Sequence, residues 1–111
     1  MKKDTDFECV LYSVYEWLYG IKIKYAEQLM IEIIKEDQDS LTVNFDTKQY
    51  IAELNCSKPD FRPYRFVKFC VLDIEKDTTQ QPAFVYYDDD NASIIDIIDN
   101  LNIGIDFILS N

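Results

Sequence analysis

The sequence predicts an α+β fold in which one antiparallel sheet of three or four strands carries helices packed on one face. Apolar residues recur every three or four positions near both ends of the chain, and between those segments they alternate or run continuously, as strands require. Two Gly and three Pro among 111 residues leave little room for long irregular stretches. An apolar fraction of 48%, with eight Tyr, seven Phe and Trp17, is enough to bury a core. Residues 1–111 are read as a single domain, because two halves would each be too small for a secure core.

Asp4, Thr5 or Asp6 can cap a first helix whose buried face is Phe7, Val10, Leu11, Val14, Trp17 and Leu18, with Gly20 ending it. Tyr25, Leu29 and Ile33, with Ala26, Met30 and Ile34 beside them, form a second helical ladder within Ile23 to Glu36. Ile21 to Lys24 also alternates as a strand does, so its conformation stays open. Leu41, Val43 and Phe45 alternate with Thr42 and Asn44 in a half-buried strand, and Asp46 and Thr47 turn into a second strand over Lys48 to Leu54. Cys56 to Tyr64, holding Pro59 and Pro63, reads as a loop. Arg65 to Ile74 has apolar groups on both faces, which places it at the centre of the sheet. Glu75 to Gln81 then turns into an antiparallel partner, Pro82 to Tyr87. A last helix over 92–102 buries Ile94, Ile95, Ile97, Ile98 and Leu101 and ends at Asn102 to Gly104, with 105–109 a short apolar tail of open conformation. Trp17, Phe69, Val71 and Ile98 are expected in the core.

Charge narrows function. Twenty-one acidic residues against 11 basic give a formal net charge of −10, with no histidine. A nucleic-acid binder needs a positive footprint to displace counterions, and here the basic residues are scattered, which argues against direct nucleic acid binding. The same field would speed encounter with a basic protein. Cys9, Cys56 and Cys70 are an odd number at wide spacing, which fits neither a disulfide framework nor a metal motif and implies a reducing compartment. No signal-peptide core and no apolar run near the ~18 residues of a membrane span are present, so the sequence reads as a cytoplasmic protein without a membrane partner.

Without histidine, Ser-His and Cys-His catalysis is excluded, and the cysteines read as structural thiols in apolar surroundings. Asp60, Asp73 and Glu75-Lys76 lack the spacing of a metal-dependent nuclease. Gly20 and Gly104 cannot build a phosphate loop. The chain therefore reads as a non-enzyme that needs no cofactor or metal.

Asp88-Asp89-Asp90-Asn91 is the densest acidic run. As a calcium loop it has Ser93 where a glycine must turn and Asp99 where a bidentate glutamate belongs. As a helix cap, Asp90 or Asn91 would face the positive end of the dipole. As an exposed patch, Asp88, Asp89 and Asp90 beside Tyr86 and Tyr87 could receive Lys or Arg from a partner. Glu36, Asp37 and Asp39 form a second acidic cluster, a solvated turn that can serve the same end.

In size, charge, absent catalytic motifs and abundant Tyr and Asp, the chain resembles the small acidic immunity proteins that bacteria encode beside contact-dependent and other polymorphic toxins. The resemblance implies binding and neutralisation of a cognate toxin domain, frequently a basic nuclease, by protein–protein contact. The alternative is a phage-type inhibitor of a host defence protein, whose acids imitate nucleic-acid phosphates.

Overall fold

Backbone alternation and helical spacing resolve into one helix, five consecutive strands and a second helix: α1 (Phe7–Lys24), β1 (Met30–Asp37), β2 (Ser40–Asp46), β3 (Tyr50–Ser57), β4 (Val67–Asp73), β5 (Phe84–Tyr87) and α2 (Ile94–Leu109). The computed structural model describes residues 7–58, 65–75 and 82–110. The strands form one antiparallel meander in the order β1-β2-β3-β4-β5. The fold is α+β as the sequence predicts, with five strands in place of three or four.

The inner face of the sheet carries Leu41, Val43, Phe45, Ala52, Leu54, Val67, Phe69 and Val71, all fully buried. Each of these side chains except Ala52 contributes about 1.5–3 kcal/mol relative to exposure. Both helices cover this face. Trp17 of α1 packs on Phe45 at 5.9 Å between ring centroids, while Phe107 of α2 packs on Tyr50 at 5.3 Å and Phe84 at 5.9 Å. Trp17 Nε1 donates to Asn102 Oδ1 at 2.7 Å, tying one helix to the other.

The expected helix over 23–36 is corrected. α1 runs past Gly20 to Lys24, the chain turns at residues 25–28, and Met30–Asp37 is the edge strand β1. Leu29, Ile31 and Ile33 satisfy a two-residue period as well as Tyr25, Leu29 and Ile33 satisfy a helical one, and three β-branched isoleucines in four positions favour the strand. Gly20 lies on an open helix surface and stops nothing.

The second strand lies later than expected, at Tyr50–Ser57, so the stretch read as a loop from Cys56 begins inside β3, and 59–64 fall outside the described residues. β3 takes the centre, and β4 is an internal strand between it and β5. Asn102 to Gly104 do not end the last helix, which continues to Leu109. Its cap is Ser93, whose hydroxyl accepts from the Asp96 amide while Asp96 accepts from the Ser93 amide. This reciprocal box takes the capping role expected of Asp90 or Asn91. The expected capping residues of α1, Asp4 to Asp6, fall outside the described residues. Phe69 and Val71 are core as expected, whereas Trp17 and Ile98 are only partly buried and pack at its margin. Cys9 is exposed on α1, contrary to its expected apolar setting; Cys56 is buried.

Candidate functional site

An antiparallel meander places alternate turns at the same end of the sheet. The β1–β2 hairpin, the end of β3, the start of β4 and the end of β5 therefore share one end, which gathers both acidic runs although about 50 residues of sequence separate them. Their corners are some 15–20 Å apart, from strand spacings of about 4.8 Å.

At the β5 corner the run divides by role. Asp88 is corrected from exposed contact residue to buried anchor: it is 2% exposed, and its Oδ1 accepts from the amides of Arg65, Phe66 and Val67 at 2.8, 2.8 and 3.0 Å. It pins the start of β4 to the end of β5. Burial pushes its carboxyl above the ordinary value, against the opposing pull of those amides. Asp89 and Asp90 are exposed, Asp89 accepting from the Asn91 amide and Asp90 lying 3.8 Å from Arg65 Nε.

Tyr86 and Tyr87 point to opposite faces, Tyr86 half-buried on the helix side and Tyr87 exposed on the other. With Asp89, Asp96 and Asn100 they wall an open recess of about 320 Å³ between β5 and the first turn of α2. Burial first, then the fields of Asp88, Asp89 and Asp96, drive the Tyr86 phenol far above its ordinary value. Aromatic walls with carboxylates at the rim suit the long stem and charged head of a Lys or Arg.

At the hairpin corner Asp37 accepts from the Asp39 amide at 2.8 Å, a bond that holds its carboxyl below the ordinary value. Asp39 is 3.6 Å from Lys58 Nζ across exposed side chains. Lys58 and Arg65 thus already sit beside carboxylates, but pairs with a solvent-exposed partner of this kind are worth about 0–1 kcal/mol and exchange readily. Glu36 pairs in register with inner-face Leu41 and faces the helices. There burial first, then the hydrogen bond to Glu36, raise Tyr15 to about 12.

Native Tyr15 thus holds its proton more tightly than the unfolded chain does. The stability it lends is present below the ordinary value of about 10 and fades as pH rises through about 12. Glu36→Gln is expected to lower the Tyr15 value part of the way, with burial retaining the rest, as followed by tyrosinate absorbance against a Tyr15→Phe control.

Sequence reasoning missed the outer sheet face. Met30, Ile51, Leu72 and Val85 are exposed there at 72%, 44%, 37% and 42%, interleaved with Glu32, Asp46 and Glu53. The alternation of β3 carries part of this signal, but the helical reading of 23–36 hid the β1 members. Among the described residues no cluster of potential metal ligands occurs, and no helix is long and apolar enough to cross a membrane. No family model, curated protein or solved structure matches the chain.

Proposed function

We propose that the protein is an immunity-type inhibitor that binds a basic, cognate toxin domain and neutralises it by contact. The observation that carries this reading is the β5–α2 recess, where Tyr86 and Tyr87 meet the carboxylates of Asp89 and Asp96 on a chain of net charge −10. A basic side chain entering it gains an aromatic wall and unlike charge together, and the surrounding field raises the encounter rate. The nucleic-acid-mimic alternative is weaker on the same geometry, because a mimic needs carboxylates in a phosphate-like row. Here the acids at this end stand at two corners.

The test is co-expression with the toxin domain encoded beside the gene, followed by surface plasmon resonance at low and high salt. Growth should be rescued. Asp89→Asn with Asp90→Asn should slow association several-fold at low salt, the difference shrinking at high salt, because rim charges act chiefly on the on-rate. Absence of rescue and of binding by the unmodified protein would sink the reading. An unchanged association rate in the variant would remove these two residues from the interface.

A further inference from the structure

One face of the sheet lies under two helices, and no described element packs on the other. By register, the outer face forms rows across the strands: Met30, Asp46, Ile51 and Leu72 in one, Glu32, Asn44, Glu53, Cys70 and Val85 in the next, and Lys35, Thr42, Asn55, Lys68 and Tyr87 in a third, so that the acids lie in the first two rows and the lysines in the third. Met30, Ile51 and Leu72 stand together at the end remote from the acidic corners. Asp46 lies among them at the rim of an open recess of about 580 Å³, lined also by Leu29, Met30, Thr47 and Lys48.

Asp46 is electrostatically unsettled. Its Oδ1 is shut off from solvent with no hydrogen-bond partner, although the residue as a whole is only half-buried. Burial first, then the charge of Glu32, raise its carboxyl above the ordinary value. Lys48 is close in sequence, yet no ion pair joins it to Asp46. A carboxylate that is partly dehydrated, unpaired and beside a second one gains more from an incoming cation than a fully wet one does.

We propose that this outer face docks an extended segment of the basic partner, with Arg or Lys meeting Asp46 and Glu32 while alternate apolar residues cover Met30, Ile51 and Leu72. The proposal rests on the reading of the protein as a binder of a basic partner and names the surface that does the binding. A second copy of the chain fits less well. Two such faces would bring together Glu32, Asp46 and Glu53 of each copy with only Lys35 and Lys68 to offset them, at a net charge of −10 per chain. The face measures about 19 by 24 Å from strand spacing and rise, so self-pairing would bury roughly 900 Å², below the ~1,200–2,000 Å² of a stable interface. A larger partner can extend past Tyr87, which belongs both to this face and to the wall of the acidic recess.

The probe is a capped synthetic peptide of alternating Arg and Val, about eight residues long so that at roughly 3.3 Å per residue it crosses the sheet. Arg/Ser and Glu/Val peptides serve as comparators, titrated into the isotope-labelled full chain. Amide shifts are expected at residues 30–35, 42–46, 51–55 and 68–72. Affinity should fall about fivefold or more in Ile51→Ser with Leu72→Ser, and similarly in Asp46→Asn, as loss of apolar cover or of an ion pair implies. Should Asp46→Asn lose amide dispersion, Glu32→Gln supplies the charge arm.

Shifts confined to the helices or to the acidic corners overturn the proposal. Equal binding of Arg/Ser overturns its apolar half, and concentration-dependent shifts of these amides without peptide assign the face to self-association instead. The outcome separates from that of the functional reading. A toxin domain bound equally by unmodified protein and face variants removes the face and leaves the function. A peptide seated on the face of a protein that binds no toxin domain does the reverse.

Discussion

Replacing Asp88 with Ala is expected to destabilise the protein by about 3 kcal/mol or more, because the buried Phe66 and Val67 amides lose the carboxylate they share, while the Arg65 amide keeps only the Asp88 main-chain oxygen at 3.2 Å. The loss falls on one seam. Arg65 and Phe66 lead into β4, which starts at Val67, Asp88 directly follows β5, and Phe66 packs edge-on against Phe7 of α1 at 5.3 Å. Urea denaturation measures the effect, and a change under about 1 kcal/mol would mean that water replaces the carboxylate at little cost. Asn is a partial substitute, since its oxygen can take the place of Oδ1 while its NH2 group confronts the Phe66 amide that Oδ2 also accepts at 3.1 Å.

The pH dependence follows from the same site. With burial outweighing the amides, native Asp88 has its value raised above the ordinary carboxylate figure of about 3.9. The native state then holds the proton more tightly than the unfolded chain does. Its contribution is fully present below that ordinary value and declines as pH rises through the native one. The advantage of the unmodified protein over Asp88→Ala should therefore be greatest in acid and shrink as Asp88 ionises. An advantage that grows with pH would show the amides outweighing burial.

The second large effect is expected at Phe69, where truncation to Ala should cost about 3–5 kcal/mol. The ring is fully buried between Phe45 at 5.8 Å and Phe84 at 6.2 Å, both edge-on. Helix α2 reaches it through Gly104, where an added Cβ would overlap the Phe69 ring. Gly104→Ala gains about 1 kcal/mol of helix propensity, yet the clash should outweigh that gain and leave a net loss of about 1–3 kcal/mol. Because the added methyl and the removed ring claim the same space, the double variant should cost less than the sum of the singles by about 1 kcal/mol or more. Strict additivity would mean that α2 shifts away from the sheet instead.

Gly104 also illustrates how a local signal misleads. A glycine after Asn102 reads as a helix stop, but in this chain it is the point of closest approach between α2 and the sheet. Gly20 resembles it in sequence and differs in cause, being an exposed position that a long helix tolerates. Leu29 and Ile33 satisfied two periodicities at once, and only the pairing of Ile31 and Ile33 with Phe45 and Val43 of β2 chose between them. The acidic run failed for a related reason. Four consecutive polar residues look uniformly wet in one dimension, while the end of β5 turns Asp88 inward and leaves Asp89 and Asp90 outside.

The sequence by itself determined the α+β class, the strands around Leu41 to Phe45 and Phe69, the first and last helices, the acidity and the lack of histidine. Each of these depends on composition or on the spacing of near neighbours. Tertiary structure alone decided the fate of Asp88 and Asp46 and the sheet face on which no described element packs. Whether Asp88 is an anchor or Asp46 an unpaired charge depends on which distant amides and carboxylates the meander brings within a few ångströms, whereas the Asp37 turn bond and the Asp96 cap are made to amides two and three residues away. Likewise Met30, Ile51, Leu72 and Val85 are ordinary strand residues until both helices fold onto the same side, with no described element on the other.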